Sequence, residues 1–200
     1  MTQPNDHKIL VEFITSTFPM PLADAEKIAE HFHPGSLSKG ELFLKQGKPC
    51  NIYYFLVDGY ARSFTHDLDD NDVTTSFYGP RQVMCELFSF FKRIPSRENM
   101  IALTDCSTWH LTFDELQAIF HAMPQFREFG RTILVNAYAG LKNRMLSTLQ
   151  NTAEERYAQL LRTNPGIFQH APLKNIASYL GITDTSLSRI RKEFAKNNIN

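Results

Sequence analysis

Apolar positions in the first thirty or so residues recur every three or four places. Ile9, Leu10, Phe13 and Ile14 share one helical face, and Ala25, Ile28, Ala29 and Phe32 share another, with Pro19 and Pro21 separating the two helices. After Pro34-Gly35 the rhythm changes to short runs of the kind that form strands. The pattern predicts strands over Glu41–Lys45, Ile52–Val57, Tyr60–His66, Val73–Tyr78, Met100–Leu103 and Ser107–Leu111. Asp58-Gly59 between two of these runs marks a two-residue hairpin, because both positions tolerate positive φ. The tract Asp67–Asp72 marks a second reversal. Short strands at this spacing predict a small antiparallel roll or barrel.

From about Asp114 the period turns helical. Pro124 ends a short helix, and a long one is predicted over Gln125–Gln150. It carries two apolar seams. Phe126, Gly130, Ile133, Ala137 and Gly140 form one at heptad-like spacing, and Leu134, Tyr138, Leu141 and Met145 form the other. One seam must cover the roll and the other needs a partner. Small residues permit close helix approach, so the first seam is assigned to a twofold dimer contact. The alternative is a helix packed wholly inside a monomer. Thr152-Ala-Glu-Glu155 reads as a capping box opening a further helix, with Tyr157, Leu160 and Leu161 on its core face. The chain thus divides into a roll with N-terminal helices (1–124), a dimerisation helix (125–150) and a helical C-terminal domain (151–200). The fold class is α+β.

Composition sharpens this picture in one place. The formal net charge is zero, but residues 151–200 hold 7 Lys and Arg against 4 Asp and Glu, while residues 1–150 hold 14 against 17. An acidic body with a basic tail is the asymmetry expected when the tail alone meets phosphates. No apolar run is long enough to span a membrane, and the N-terminus lacks the basic and apolar regions of a secretory signal, so a cytoplasmic address is expected. Cys50, Cys85 and Cys106 contain no CxxC pair and are read as ordinary reduced thiols.

The most informative segment is LKNIASYLGITDTSLSRIRKEF, residues 173–194. Leu173, Ile176, Ala177 and Leu180 give one short helix with a single apolar stripe, and Gly181 suits the left-handed residue that closes it. Thr183 or Asp184 can cap a second helix that buries Leu187, Ile190 and Phe194. Its other face offers Thr185, Ser188, Arg189, Lys192 and Lys196, with Arg191 nearby. Two helices joined by a Gly-containing turn, the second polar and basic outside, form a helix-turn-helix. The major groove admits one helix, short polar side chains near its start reach base edges, and Arg binds guanine bidentately. Thr183, Asp184, Thr185, Ser188, Arg189, Arg191 and Lys192 are therefore the candidate DNA-binding residues.

A roll, a long helix and a terminal helix-turn-helix, in this order, resemble the Crp/Fnr (cyclic-AMP receptor) regulators across nearly the whole chain. The resemblance is strongest in Ile182-Thr-Asp-Thr-Ser-Leu-Ser-Arg-Ile190, and Ile52-Tyr-Tyr-Phe-Leu-Val-Asp-Gly-Tyr-Ala61 is similar to the family's strand–DG–strand hairpin. It implies a jelly roll of the cyclic-nucleotide-binding type and a homodimer reading a pseudo-palindromic operator in double-stranded DNA, with RNA polymerase as a further partner. The family's phosphate cassette has a Gly-Glu-Leu step and, after a short helix, an Arg-Ser or Arg-Thr pair. Here the matching residues are Cys85-Glu86-Leu87 and Ser96-Arg97, followed by Glu98. Glu86, Leu87, Ser96 and Arg97 are the effector-pocket candidates. Cys85 in place of Gly, the reversed Ser-Arg order and the added acid argue against cyclic AMP, so the effector is left unnamed. The chain ends about five residues after Ala195, short of the β-wing that many members carry.

Two other constellations are weaker. Asp67-Leu-Asp-Asp-Asn-Asp72 matches positions 1, 3 and 5 of a calcium loop but lacks its Gly and its bidentate Glu, so a solvated turn is expected. His31 and His33 would need further ligands, with His66 and His110 as arbitrary candidates. From these comes the alternative function, a metal-dependent, cupin-like roll enzyme with a helical appendage. The favoured reading is a non-enzymatic DNA-binding regulator with no cofactor.

Overall fold

The computed structural model describes residues 4–197. Two helices open it, α1 (Pro4–Thr17) and α2 (Leu22–Ala29), and the stripe read from the sequence faces inward through Leu10, Ile14, Ala25, Ile28 and Ala29. Strands β1 (His33–Leu37), β2 (Leu42–Leu44), β3 (Ile52–Asp58), β4 (Ala61–His66), β5 (Asp72–Tyr78) and β6 (Gln82–Met84) follow. A short helix α3 (Leu87–Lys92) then leads to β7 (Asn99–Ala102) and β8 (Cys106–Thr112). The strands pair antiparallel in two sheets, ordered β1-β8-β3-β6 and β2-β7-β4-β5. This is a jelly roll. Its core draws on both sheets, with Phe55, Leu56, Met84, Phe90, Met100 and Leu111 among its fully buried side chains.

Each predicted strand exists, within a residue or two at its ends. β1 and β6 lie where no strand was expected. β1 contains Pro34-Gly35, after which the strand pattern was expected to begin, and it forms a sheet edge, where a proline's missing N–H costs nothing. β6 is also an edge and too short to show alternation. The Asp58-Gly59 hairpin needs its glycine: Gly59 has φ +102°, and a Cβ there would lie 2.6 Å from the Asp105 carbonyl oxygen. In the second reversal, Asp67 Oδ1 accepts the N–H groups of Asp69 and Asn71, each at 2.9 Å, and those bonds hold its carboxyl below the usual carboxylate range. The carboxylate therefore closes its own turn.

After β8 come α4 (Phe113–Ala122), α5 (Pro124–Gln150), α6 (Ala153–Thr163), α7 (Ile167–His170), α8 (Leu173–Leu180) and α9 (Asp184–Asn197). The capping box at Thr152 and Glu155 is formed, and a second one, Thr112 with Glu115, starts α4.

The two seams of α5 do not divide as expected. Phe126 is 1% exposed, packed with Phe129 in the core beneath the roll. Gly130 faces the Phe120 ring so closely that a Cβ would lie 2.5 Å from it. Ile133 also packs partly against this core. Phe126, Gly130 and Ile133 thus serve their own subunit, while Ala137 and Gly140 are exposed farther along the helix. The other seam does not cover the roll. Leu134, Tyr138, Leu141 and Met145 are 40, 66, 67 and 55% exposed, and Val135 and Leu149 extend the uncovered surface. The cause is that α5 packs on α1 and α4 near its start and farther along meets the roll through Arg144, which leaves this face uncovered.

Candidate DNA-reading helix and effector cradle

Helix α8 ends at Gly181, left-handed at φ +66°, and the Ile182 N–H returns to the Ala177 carbonyl at 3.0 Å. Thr183 is the cap of α9: its hydroxyl accepts the Ser186 N–H at 3.2 Å. Ile176, Ala177, Leu180, Leu187 and Ile190 are buried together in a second core, where Phe194 lies edge-on to Tyr157 with ring centroids 4.9 Å apart. Leu173, expected in this stripe, is instead exposed at the start of α8. Thr183, Asp184, Thr185, Ser188, Arg189, Arg191 and Lys192 all lie exposed on the turn and on α9. A backbone closed this way presents a rigid polar and basic helix face to the outside.

No local pattern marks how this domain meets the roll. The Ser178 hydroxyl on α8 accepts the Thr74 N–H at 3.1 Å and lies 3.2 Å from the Thr74 hydroxyl. The buried Arg62 donates to that same Thr74 hydroxyl at 3.1 Å and to Asp72 at 2.7 Å. From α5, Arg144 donates to the carbonyls of Thr74, Thr75 and Tyr179, and its guanidinium lies 4.0 Å over the Tyr179 ring. One side chain of α5 therefore bridges the roll and the helix-turn-helix. Phe77 of β5 and Tyr179 complete the contact. A lone Arg in a helix carries no local pattern that would mark it.

The cradle candidates separate in the structure. Both carboxylate oxygens of Glu86 cap α3, accepting the Phe88 N–H at 3.1 Å and the Ser89 N–H at 2.9 Å. Leu87 packs against the roll core. Ser96 is buried, and its hydroxyl donates to the Glu98 carbonyl at 2.8 Å. Arg97 is exposed. Glu98 is the inward residue. Burial pushes its carboxyl above the usual range, the neighbouring Thr75 hydroxyl and Arg144 guanidinium oppose that rise, and the charge of Glu86 adds to it. Beside it, burial raises the Tyr78 phenol to about 12, and that phenol lies 3.1 Å from the Ser63 hydroxyl. A separate cavity of about 160 Å³ opens on Cys50, Tyr54, Met84 and Met100.

The cyclic nucleotide-binding domain family matches residues 34–122, the roll and α4. The fumarate and nitrate reduction regulatory protein of Yersinia pestis is 23% identical over 189 residues, covering 89% of this chain and 74% of its own. FixK2 from Bradyrhizobium japonicum superposes with a TM-score of 0.71 at 20% identity, over 84% of this chain and 86% of its own. The catabolite activator protein of Thermus thermophilus gives a TM-score of 0.57 at 19% identity, over 93 and 88% of the two chains. The roll, the long helix and the helix-turn-helix follow in the same order here as in these regulators. The chain therefore carries a cyclic nucleotide-binding domain over residues 34–122 and shares its overall fold with these regulators.

The roll departs from the cyclic-nucleotide cassette where the sequence already differed. Cys85, standing where the family pattern has Gly, is buried, and Arg97 faces outward one place after Ser96. No three His, Cys, Asp or Glu side chains gather among the described residues as a metal ion would require, so the cupin-like alternative has no candidate centre there. His33 instead pairs with Glu115 at 2.7 Å.

Proposed function

We propose that this chain is a sequence-specific DNA-binding transcription regulator, acting as a twofold dimer with α9 in the major groove. The carrying observation is α9 itself, capped, held on a buried second core and exposing every candidate base-reading and phosphate-binding side chain. Dimerisation uses the exposed row Leu134, Tyr138, Leu141 and Met145. A parallel twofold pairing there would set two reading helices about one turn of DNA apart, ~34 Å. The three-part division near residues 124 and 150 fits this role, with RNA polymerase as a further partner.

Operator selection from random duplexes tests the reading directly. Arg189→Ala should then cost about 1–3 kcal/mol on the selected site and relax preference at one position per half-site. Lys192→Ala, removing a phosphate contact, should weaken all sequences alike. Equal losses on selected and random DNA for Arg189→Ala would take it out of base reading.

The effector is not a cyclic nucleotide in this reading. A cyclic phosphate carries a negative charge whose burial costs several kcal/mol without a matched cation and donors. Here the cassette carboxylate is occupied in capping α3, the cassette Arg faces solvent, and Glu98 brings a second acid inward. Calorimetry with millimolar cyclic AMP and cyclic GMP should show no saturable heat. Tight, stoichiometric binding of either would return Arg97 to the cradle.

A further inference from the structure

The sulfurs of Cys50 and Cys85 lie 3.9 Å apart inside the roll, both buried. Both cysteines belong to the frame of α3. Cys85 directly precedes Glu86, the cap of that helix. Cys50 holds the helix from the other side: its N–H donates to the Ser89 hydroxyl at 2.9 Å, and its carbonyl accepts from Arg93 at 3.2 Å. Cys50 also lines the cavity of about 160 Å³, which has room for a molecule the size of a hydroperoxide. The third thiol, Cys106, is elsewhere, donating to the Thr104 carbonyl at 3.4 Å.

We propose that Cys50 and Cys85 form a peroxide-reactive dithiol that closes to a disulfide and locks α3 to the start of β3. The bond needs the two sulfurs to approach to about 2.05 Å, a shift of under ~2 Å, within reach of side-chain rotation and a small backbone adjustment. The two thiols have unequal roles. The Cys85 S–H pulls the Cys50 thiol down, burial opposes this, and the Glu86 backbone adds to the lowering. Burial pushes the Cys85 thiol well up, and Cys50 raises it further. Cys50 is therefore the group that ionises first, and the thiolate is the nucleophile. The Cys50 thiolate attacks one peroxide oxygen, the O–O bond breaks, and hydroxide leaves a sulfenic acid on Cys50. The Cys85 sulfur then attacks the Cys50 sulfur, and the sulfenic oxygen departs as water with the Cys85 proton. Overall, two thiols lose two protons and two electrons, and one hydrogen peroxide becomes two waters.

Any effect on DNA rests on the proposed function; the chemistry of the pair does not. The folded, reduced full-length chain is treated with hydrogen peroxide, quenched, alkylated and mapped by mass spectrometry. The expected product has one alkylatable thiol, Cys106, and a linked pair of peptides carrying Cys50 and Cys85. Cys85→Ser should halt at a sulfenic acid on Cys50 that a cyclic β-diketone traps, and Cys50→Ser should slow peroxide consumption at least tenfold. Cys106→Ser should behave as the parent. Three free thiols after treatment, or equal reactivity in Cys50→Ser, would overturn the proposal. A second arm compares reduced and oxidised protein on the selected operator. A several-fold change in Kd, reversed by dithiothreitol and absent from Cys50→Ser, is expected. Unchanged affinity beside a formed disulfide would remove the regulatory role. Absence of DNA binding in both states would instead remove the proposed function and leave the dithiol standing.

Discussion

Leu141→Glu should convert the protein from dimer to monomer at micromolar concentration and weaken operator binding by roughly a hundredfold or more. Leu141 is 67% exposed at the middle of the uncovered row on α5, where a twofold axis would bring it against its counterpart. A carboxylate there would be desolvated without a cation in both copies, at a cost of several kcal/mol. A monomer engages one half-site only, and losing about 2.7 kcal/mol of joint binding already amounts to a hundredfold. Asn136 is exposed on the opposite side of the same helix, so Asn136→Glu should leave the dimer intact and serves as the control. Analytical ultracentrifugation reads the first effect and fluorescence anisotropy on the operator reads the second. A Leu141→Glu protein that remains dimeric would place the interface elsewhere.

Phe126→Ala, fifteen positions earlier on the same helix, should act in another way. Phe126 is fully buried, its ring 5.1 Å from Phe120 and 5.8 Å from Phe129 between centroids. Removing a buried ring forfeits its transfer free energy and leaves a cavity, together about 3–5 kcal/mol. That is a large share of the ~5–15 kcal/mol that holds a domain folded. Urea denaturation followed by circular dichroism should show the midpoint falling sharply, whereas Leu141→Ala should barely change the stability of a monomer. Monomerisation with a stability loss below about 1 kcal/mol would return Phe126 to the dimer seam.

These two residues mark where the sequence stops being informative. Both stand at apolar helical positions in seams of the same period, and period alone says that a face is covered without saying by what. The path of α5 decides: it lies on α1 and α4 as far as Ile133, and beyond that it meets the roll through Arg144 and leaves the Leu141 face uncovered. The strands β3, β4 and β5, the Asp58-Gly59 hairpin, the Thr152–Glu155 capping box and the turn at Gly181 were legible because each depends on local alternation, positive φ or a side chain reaching three residues along. So was the exposed face of α9, since Leu187, Ile190 and Phe194 fix which side turns inward. β1 and β6 were not, because an edge strand is defined by the neighbour it pairs with and needs little pattern of its own. The bridge from Arg144 to Thr74, Thr75 and Tyr179 joins segments 35 or more positions apart, and the Cys50–Cys85 pair spans 35. Nothing local distinguishes such residues, because the partner that gives each its role arrives only when the two sheets close and the helices dock.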